Sequence, residues 1–212
     1  MRFSGICTLI AMALEHEAST RELELKMVMR LAPLQRSPSS LPADVEHLMG
    51  FIRAYISHVP RLMQALEETA RTCGLSMRIA PLLDLMEDFL LQGSAQIPDQ
   101  RRLAEILDES YLVHRLIDNI NQGYQERFGA PLVELNMTSA NLIVHALIGE
   151  PFATELDTLA KDAACGLLPA TCSVGQPLYR SWTAQWLRCT QFYQLTHLQP
   201  EQSLIWCVPA GQ

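Results

Sequence analysis

Several motifs that define common enzyme classes are missing from this 212-residue sequence. It contains no glycine-rich phosphate loop of the GxGxxG or GxxxxGK[ST] type, no GxSxG nucleophile elbow and no HExxH metal motif. It also lacks the Glu-x-x-His motif, which a di-iron carboxylate bundle needs twice. These absences remove the most specific sequence signatures of nucleotide-binding proteins, of serine hydrolases and of helical metalloenzymes.

Clustered basic charge and closely spaced cysteine pairs are missing as well. The formal net charge is −7 and no dense run of Lys and Arg occurs, so the sequence predicts no nucleic-acid partner. None of the six cysteines forms a CxxC pair, which the common zinc sites require. We therefore expect reduced cysteines in a cytoplasmic protein and predict no cofactor.

Long apolar runs are the third absence. No run reaches the roughly 18 residues that span a bilayer, so we expect no integral membrane segment. Residues 1–13 fit a short signal peptide in part, because Arg2 precedes an apolar stretch that ends in a small-x-small cleavage pattern, Ala11-Met12-Ala13. The protein would then be exported. This segment is shorter than the usual minimum of about 15 residues, which favours a first core helix instead.

Helical periodicity is what the sequence has in abundance. With 49% hydrophobic residues the chain can bury a substantial core. Strand-like alternation is nearly absent, so we predict an all-α fold: a single compact bundle of seven or eight helices with an extended C-terminal tail. The predicted divisions of this single domain (1–212) are an N-terminal helical arm at 1–32, a Pro/Ser-rich loop at 33–42, a helical core at 43–197 and the tail at 198–212.

Glycine and proline set the predicted helix borders. We expect a break near Ser19 in the first helical region, a kink or break at Pro60, and a helix start near Pro81. Gly74 and Gly129 are expected to end helices. The predicted helices are 3–31, 43–73, 81–92, 98–128 as the longest, 138–149, one that begins at Pro151, and 178–196.

Two of these helices carry a histidine in an otherwise apolar pattern. His114 is followed by Asp118 one turn later, and His145 is preceded by Asn141 one turn earlier. The loop between the two helices has about eight residues, so an antiparallel pairing is possible. We predict that this pairing gathers the four side chains into one polar cluster.

The predicted cluster is open to several chemical interpretations. Helix 138–149 has no charged residue, so a buried polar atom on it needs a partner or costs roughly 1–3 kcal/mol. His114, Asp118 and His145 are the candidate ligands of a divalent metal, and a His–Asp pair suits general-base chemistry. The structural alternative is simple, because an i, i+4 pair at a helix edge contributes only about 0.2–0.5 kcal/mol.

A second candidate surface lies on the helix predicted at 178–196. Trp182, Trp186, Cys189 and Tyr193 follow helical spacing and form one ridge. Such a ridge is usually part of the core. If it is exposed, Trp182, Trp186 and Tyr193 would form a dimer surface or a site for an apolar ligand.

The sequence therefore leaves three functional hypotheses. The first is a cytoplasmic all-helical binding or regulatory protein that acts through a protein partner or a small apolar ligand, since nine methionines can line adaptable pockets. The second is a helical metal-dependent or acid–base enzyme that uses the His114, Asp118, Asn141 and His145 cluster. The third is a homodimeric interaction protein joined through the aromatic helix.

Overall fold

The computed structural model describes residues 2–34, 41–92, 102–129, 131–133 and 137–167. All regular structure in these ranges is helical, which confirms the all-α prediction. The predicted helix at 178–196, its candidate residues Trp182, Trp186 and Tyr193, and the tail at 198–212 lie outside the described residues. The helices are α1 (Ser4–Thr20), α2 (Glu22–Leu31), α3 (Leu41–Thr72), α4 (Ser76–Gln92), α5 (Leu103–Phe128), α6 (Thr138–Ile148) and α7 (Phe152–Leu167), with a 3-10 turn at Ala32–Leu34.

The first helix belongs to the core, as predicted. Ile6, Ile10 and Ala13 of α1 are buried, and α1 packs against α3, α4 and α5. Within the described ranges no helix combines the length and the apolar character needed to cross a bilayer.

The break between α1 and α2 lies at Arg21, two residues after the predicted position. Arg21 adopts a left-handed conformation with φ 54°, and its amide donates to the Glu17 carbonyl. The Glu17 carboxylate then accepts hydrogen bonds from the backbone amides of Leu23 (3.1 Å) and Glu24 (3.0 Å). A buried carboxylate therefore caps α2, whereas the Ser19 hydroxyl only donates back to the His16 carbonyl, at 2.7 Å.

Two prolines act differently from the prediction. Pro60 lies inside α3, which continues through it, and α4 begins at Ser76 although Pro81 was the predicted start. An internal proline costs about 3 kcal/mol, and burial on both sides of Pro60, at Val59 and Leu62, offsets that cost. As a result α3, with 32 residues, is longer than α5, with 26, and the prediction that the latter is the longest was wrong.

Helix α5 is the central element. It packs against α1, α3, α4, α6 and α7, most extensively against α7. Both faces are buried, because Leu112 and Leu116 on one side and Ile117 and Ile120 on the other are almost inaccessible. The helix ends where predicted, at Gly129 with φ 76°.

Arg30 joins the end of α2 to the end of α6. Its guanidinium donates to the carbonyl oxygens of Leu147, at 2.7 Å, and Ala146, at 2.9 Å. The last carbonyls of a helix lack intrahelical partners, so a cation at this point both satisfies them and complements the helix dipole. This contact fixes α2 against the same part of the bundle that holds His145.

Candidate functional site

The polar centre of the molecule is an ion-pair cluster around Arg115 on α5. Arg115 Nε donates to Asp157 Oδ1 of α7 at 2.6 Å, and Nη1 donates to Asp118 Oδ2 at 3.0 Å. The Tyr111 hydroxyl donates to the same Asp157 oxygen at 2.8 Å. Burial by itself would lower the pKa of Arg115, but the hydrogen bond and negative charge of Asp157 outweigh it and raise that pKa. The guanidinium is therefore a fixed cation between two carboxylates.

Asn141 of α6 extends this cluster from α5 and α7 to α3. Its Nδ2 donates to Asp118 Oδ2 at 3.2 Å, and its Oδ1 accepts from the Tyr55 hydroxyl at 2.8 Å. Asn141 and Tyr55 are both about 3% exposed. Buried amide groups of this kind are stable only when both ends are bonded, which is the case here. We call the set Tyr55, Tyr111, Arg115, Asp118, Asn141, His145 and Asp157 the Arg115 network.

His114 lies beside the network rather than inside it. Its ring stacks on Tyr55 with centroids 4.1 Å apart, and its Nδ1 donates to the Ser110 carbonyl at 2.7 Å. Its Nε2 faces Nδ1 of His58 at 3.5 Å. Burial, and secondarily the neighbouring His58, lower the pKa of His114 to about 4. The ring is therefore neutral at pH 7, and both of its nitrogens face protein atoms.

His145 occupies the opposite, more accessible end of the network. Its Nε2 lies 3.6 Å from Asp157 Oδ2 and 3.5 Å from Glu150 Oε1, and its ring meets Tyr111 edge-on. The structure thus joins Asp118 and Asn141 directly, places His114 next to them through Tyr55, and connects His145 to them through Asp157 and Arg115. That these four residues share a functional site stays a prediction.

The candidate metal ligands do not form a ligand set. Within the described residues no group of three or more His, Cys, Asp and Glu side chains is arranged to hold a metal ion. Asp118 is bonded to Arg115 and Asn141, and His145 faces two carboxylates at a different end of the network from His114. The two histidines and Asp118 therefore have different partners instead of a common centre.

Sequence reasoning missed several members of this region. Arg115 stands three residues before Asp118, an i, i+3 spacing that the sequence displays openly. Tyr55 and His58 also share a helix face, and a polar pair within the apolar pattern of α3 was a usable signal. Asp157 gave no local signal, because its role depends on how α7 packs against α5.

A second polar region lies on the first half of α5 and consists of Glu105, Asp108 and Glu109, which we call the carboxyl face. Glu105 Oε2 and Asp108 Oδ1 are buried, and neither accepts a hydrogen bond. Burial raises the pKa of Asp108 well above its usual value, and the charges of Glu109 and Glu105 raise it further, while Lys26 of α2 partly opposes them. Asp108 accordingly binds its proton more tightly than an exposed carboxyl group does.

An open cleft of about 420 Å³ lies between α3 and α4, away from both polar regions. Charged side chains line much of it, among them Arg2, Glu67, Glu68 and Arg71. Arg2 closes one side through ion pairs with Glu67, at 2.5 Å, and with Asp84. Its lining is mixed, because the apolar side chains of Ile79 and Leu83 stand beside these charged groups.

Large apolar side chains are exposed on the outside of the bundle. The exposed fraction is 57% for Leu25, 68% for Met29, 66% for Leu142 and 90% for Met77. Leu25 and Met29 are one turn apart on α2, so they form a continuous ridge. We call this ridge, which consists of Leu25 and Met29 with Glu22 and Ala32 at its two ends, the α2 ridge.

Comparison with known proteins returns no relative. No family model matches the chain, and no curated protein or solved structure matches it either.

Proposed function

We propose that the protein is a non-enzymatic all-α binding protein, which acts by docking a protein partner on the exposed apolar side of its bundle. The observation that carries this proposal is the α2 ridge. Leu25 and Met29 project outward while Leu23 and Met27 of the same short helix are only 1% exposed. A helix that is apolar on its inner face and again on its outer face is typical of one that has a second surface to pack against.

The ridge has the energetics of a docking site. Burying a Leu or Met side chain contributes about 1.5–3 kcal/mol, so two adjacent ones supply a useful hot spot. Methionine also adapts its shape to a partner surface, because it is unbranched and polarizable. The Arg30 hydrogen bonds to the end of α6 hold the helix in place, so little order has to be gained on binding.

The acid–base alternative receives less support from the contacts. Its buried histidine, His114, is 1% exposed and has Ser110 and His58 at its two ring nitrogens. Asp118 and Asn141 are bonded to Arg115 and Tyr55. Groups that are occupied in this way stabilise the contact between four helices, and they are poorly placed to reach a substrate.

The small-ligand alternative is also less favoured. The described cleft between α3 and α4 has charged residues on its walls, including Arg2, Glu67 and Arg71. An apolar ligand would have to cover these charges without replacing their water, which is costly. A protein partner on the α2 ridge would bury mainly Leu25 and Met29, with Glu22 at the solvated edge of the contact.

Site-specific photo-crosslinking in the native cell tests the proposal. A benzophenone amino acid replaces Leu25 in one variant and Leu142 in another, and the matched control carries it at Glu68, an exposed position of α3. We expect a discrete protein adduct from Leu25, weaker or none from Leu142, and none from Glu68. If Leu25 gives no adduct, or the same adducts as Glu68, the proposed function is wrong.

A further inference from the structure

We infer that the partner on the α2 ridge is a second copy of this chain, packed antiparallel to the first about a two-fold axis. This inference rests on the proposed function, since it identifies the occupant of the same surface. Two independent properties of α2 support it: the symmetry of its exposed positions and the distribution of its charges.

The exposed positions of the ridge are symmetric about Met27. Glu22 and Ala32 lie five residues before and after Met27, and Leu25 and Met29 lie two residues before and after it. All four are exposed, whereas Met27 points into the core. When two copies of such a helix pair antiparallel with the axis at Met27, Leu25 of each copy packs against Met29 of the other. A two-fold interface requires this kind of self-complementary surface.

The charges of α2 favour the same direction. The first turn carries Glu22 and Glu24, and the last turn carries Arg30. An antiparallel pair places the acidic end of each helix beside the basic end of the other, and the two helix dipoles then oppose each other favourably. A parallel pair would instead bring like charges together.

Not all of these charges are equally free to act across the axis. Glu24 is bonded to Arg21 at 2.9 Å, and Arg30 donates to the carbonyls at the end of α6. Glu22 is the acidic group at the exposed edge of the ridge, and Arg30 stays charged while it is bonded to carbonyl oxygens. The contribution of the charges is therefore mainly to direction, and the apolar pair supplies most of the attraction.

The expected dimer is weak. One short helix buries less surface than a standard interface, which covers about 800 Å² per partner. We expect dissociation constants on the order of tens of micromolar, in the range of transient complexes. Each copy contributes the pair Leu25 and Met29, so four large side chains leave water at a single contact.

Sedimentation velocity on the full-length protein, from roughly 1 µM to roughly 500 µM, measures the association. The wild type should shift from monomer to dimer across this range. Leu25→Glu/Met29→Glu and Leu25→Lys/Met29→Lys should each stay monomeric, because like charges would meet across the axis. Met77→Glu, at the most exposed apolar position of α4, is the matched control and should dimerise like the wild type.

Mixing the two double variants gives the sharpest result. The antiparallel arrangement sets each acidic substitution against a basic one, so the mixture should form a heterodimer although each variant alone does not. Circular dichroism should show that both variants keep the wild-type helical content, since the substituted positions are exposed.

Each remaining outcome counts against the inference in a defined way. A wild type that stays monomeric overturns it, and so does a Leu25→Glu/Met29→Glu variant that still dimerises. A mixture that does not associate overturns the pairing of the two ridges. If the wild type is monomeric and the Leu25 crosslinker captures a different protein, the self-association is wrong and the proposed function stands. If Leu25 captures nothing, both are wrong.

Discussion

The two halves of α5 bury polar side chains in opposite ways. Around and beyond its midpoint, Arg115 and Asp118 bond to groups on α6 and α7, and each carboxylate of the Arg115 network accepts hydrogen bonds from two donors. In the first half, the carboxyl face leaves Glu105 Oε2 and Asp108 Oδ1 buried without a hydrogen bond. Both halves belong to one continuous helix at the centre of the molecule.

The difference comes from what the neighbouring helices supply. Facing Arg115, α7 offers Asp157 and α6 offers Asn141, which reaches Asp118. Among the described residues, Lys26 of α2 is the cation that acts on Asp108, and the neighbouring charges on α5, Glu105 and Glu109, are acidic. A buried charge with a good partner can be tolerated, while one without a partner gives up its charge instead. Burial therefore stabilises the contact in one half and reduces stability in the other.

Removing the cation of the Arg115 network should have the largest effect on stability. Arg115→Ala leaves Asp118 and Asp157 without their shared partner, and we expect a loss of about 3–4 kcal/mol in the free energy of unfolding. This is somewhat below the upper range for a fully buried pair, because these side chains keep about a quarter of their exposure. Urea denaturation at pH 7 measures it.

The control for this substitution is Arg71→Ala at the end of α3. Arg71 is 72% exposed and lies 4.0 Å from Glu68, so its removal should change stability by less than about 0.5 kcal/mol. Equal losses from the two variants would mean that the Arg115 network behaves like an ordinary solvated surface cluster.

The sequence predicts most of these helices but only some of the contacts between them. Apolar periodicity located α1 to α3 and α5 to α7, because each of these helices buries a regular stripe. The start of α4 was predicted at Pro81 and lies at Ser76, because the sequence does not distinguish a proline inside a helix from a proline that begins one. Of the four residues of the predicted polar cluster, Asn141 and Asp118 do meet, while a shared functional site stays a prediction. Asp157 could not be found, because Arg115 is 42 positions away in sequence and only the packing of α7 on α5 joins them.

Acidification should lower the stability of the folded protein through His114, which lies beside the Arg115 network. Its pKa is about 4 in the folded protein and about 6.5 when unfolded, so the unfolded state binds a proton first as the pH falls. The stability from the neutral ring is complete above pH 6.5 and is lost as the pH falls towards 4, with a total of about 3 kcal/mol. Urea midpoints measured from pH 7 to pH 4 should fall in the wild type and fall less in His114→Gln.

An exposed histidine gives the matched control for this pH series. His47→Gln, on the outside of α3, should keep the wild-type slope of stability against pH. Identical slopes for the wild type and His114→Gln would show that the buried ring does not determine the acid response. The stability of the region around Arg115 would then show no dependence on acid to set against that of the carboxyl face.

The smallest effect, and the one of opposite sign, should come from the carboxyl face. Asp108 has a raised pKa in the folded protein. Its contribution to the free energy of unfolding is therefore complete at low pH. That contribution is lost as the pH rises above the ordinary carboxyl range, because the unfolded state releases the proton more readily than the folded state. Asp108→Leu keeps the branching of the side chain, removes the unbonded oxygen and should stabilise the protein by about 1–2 kcal/mol at pH 7. The gain should grow with pH, and Asp162→Leu on the exposed side of α7 should give none. A loss of stability in Asp108→Leu would mean that this carboxyl has a favourable partner after all, and that the two halves of α5 are alike.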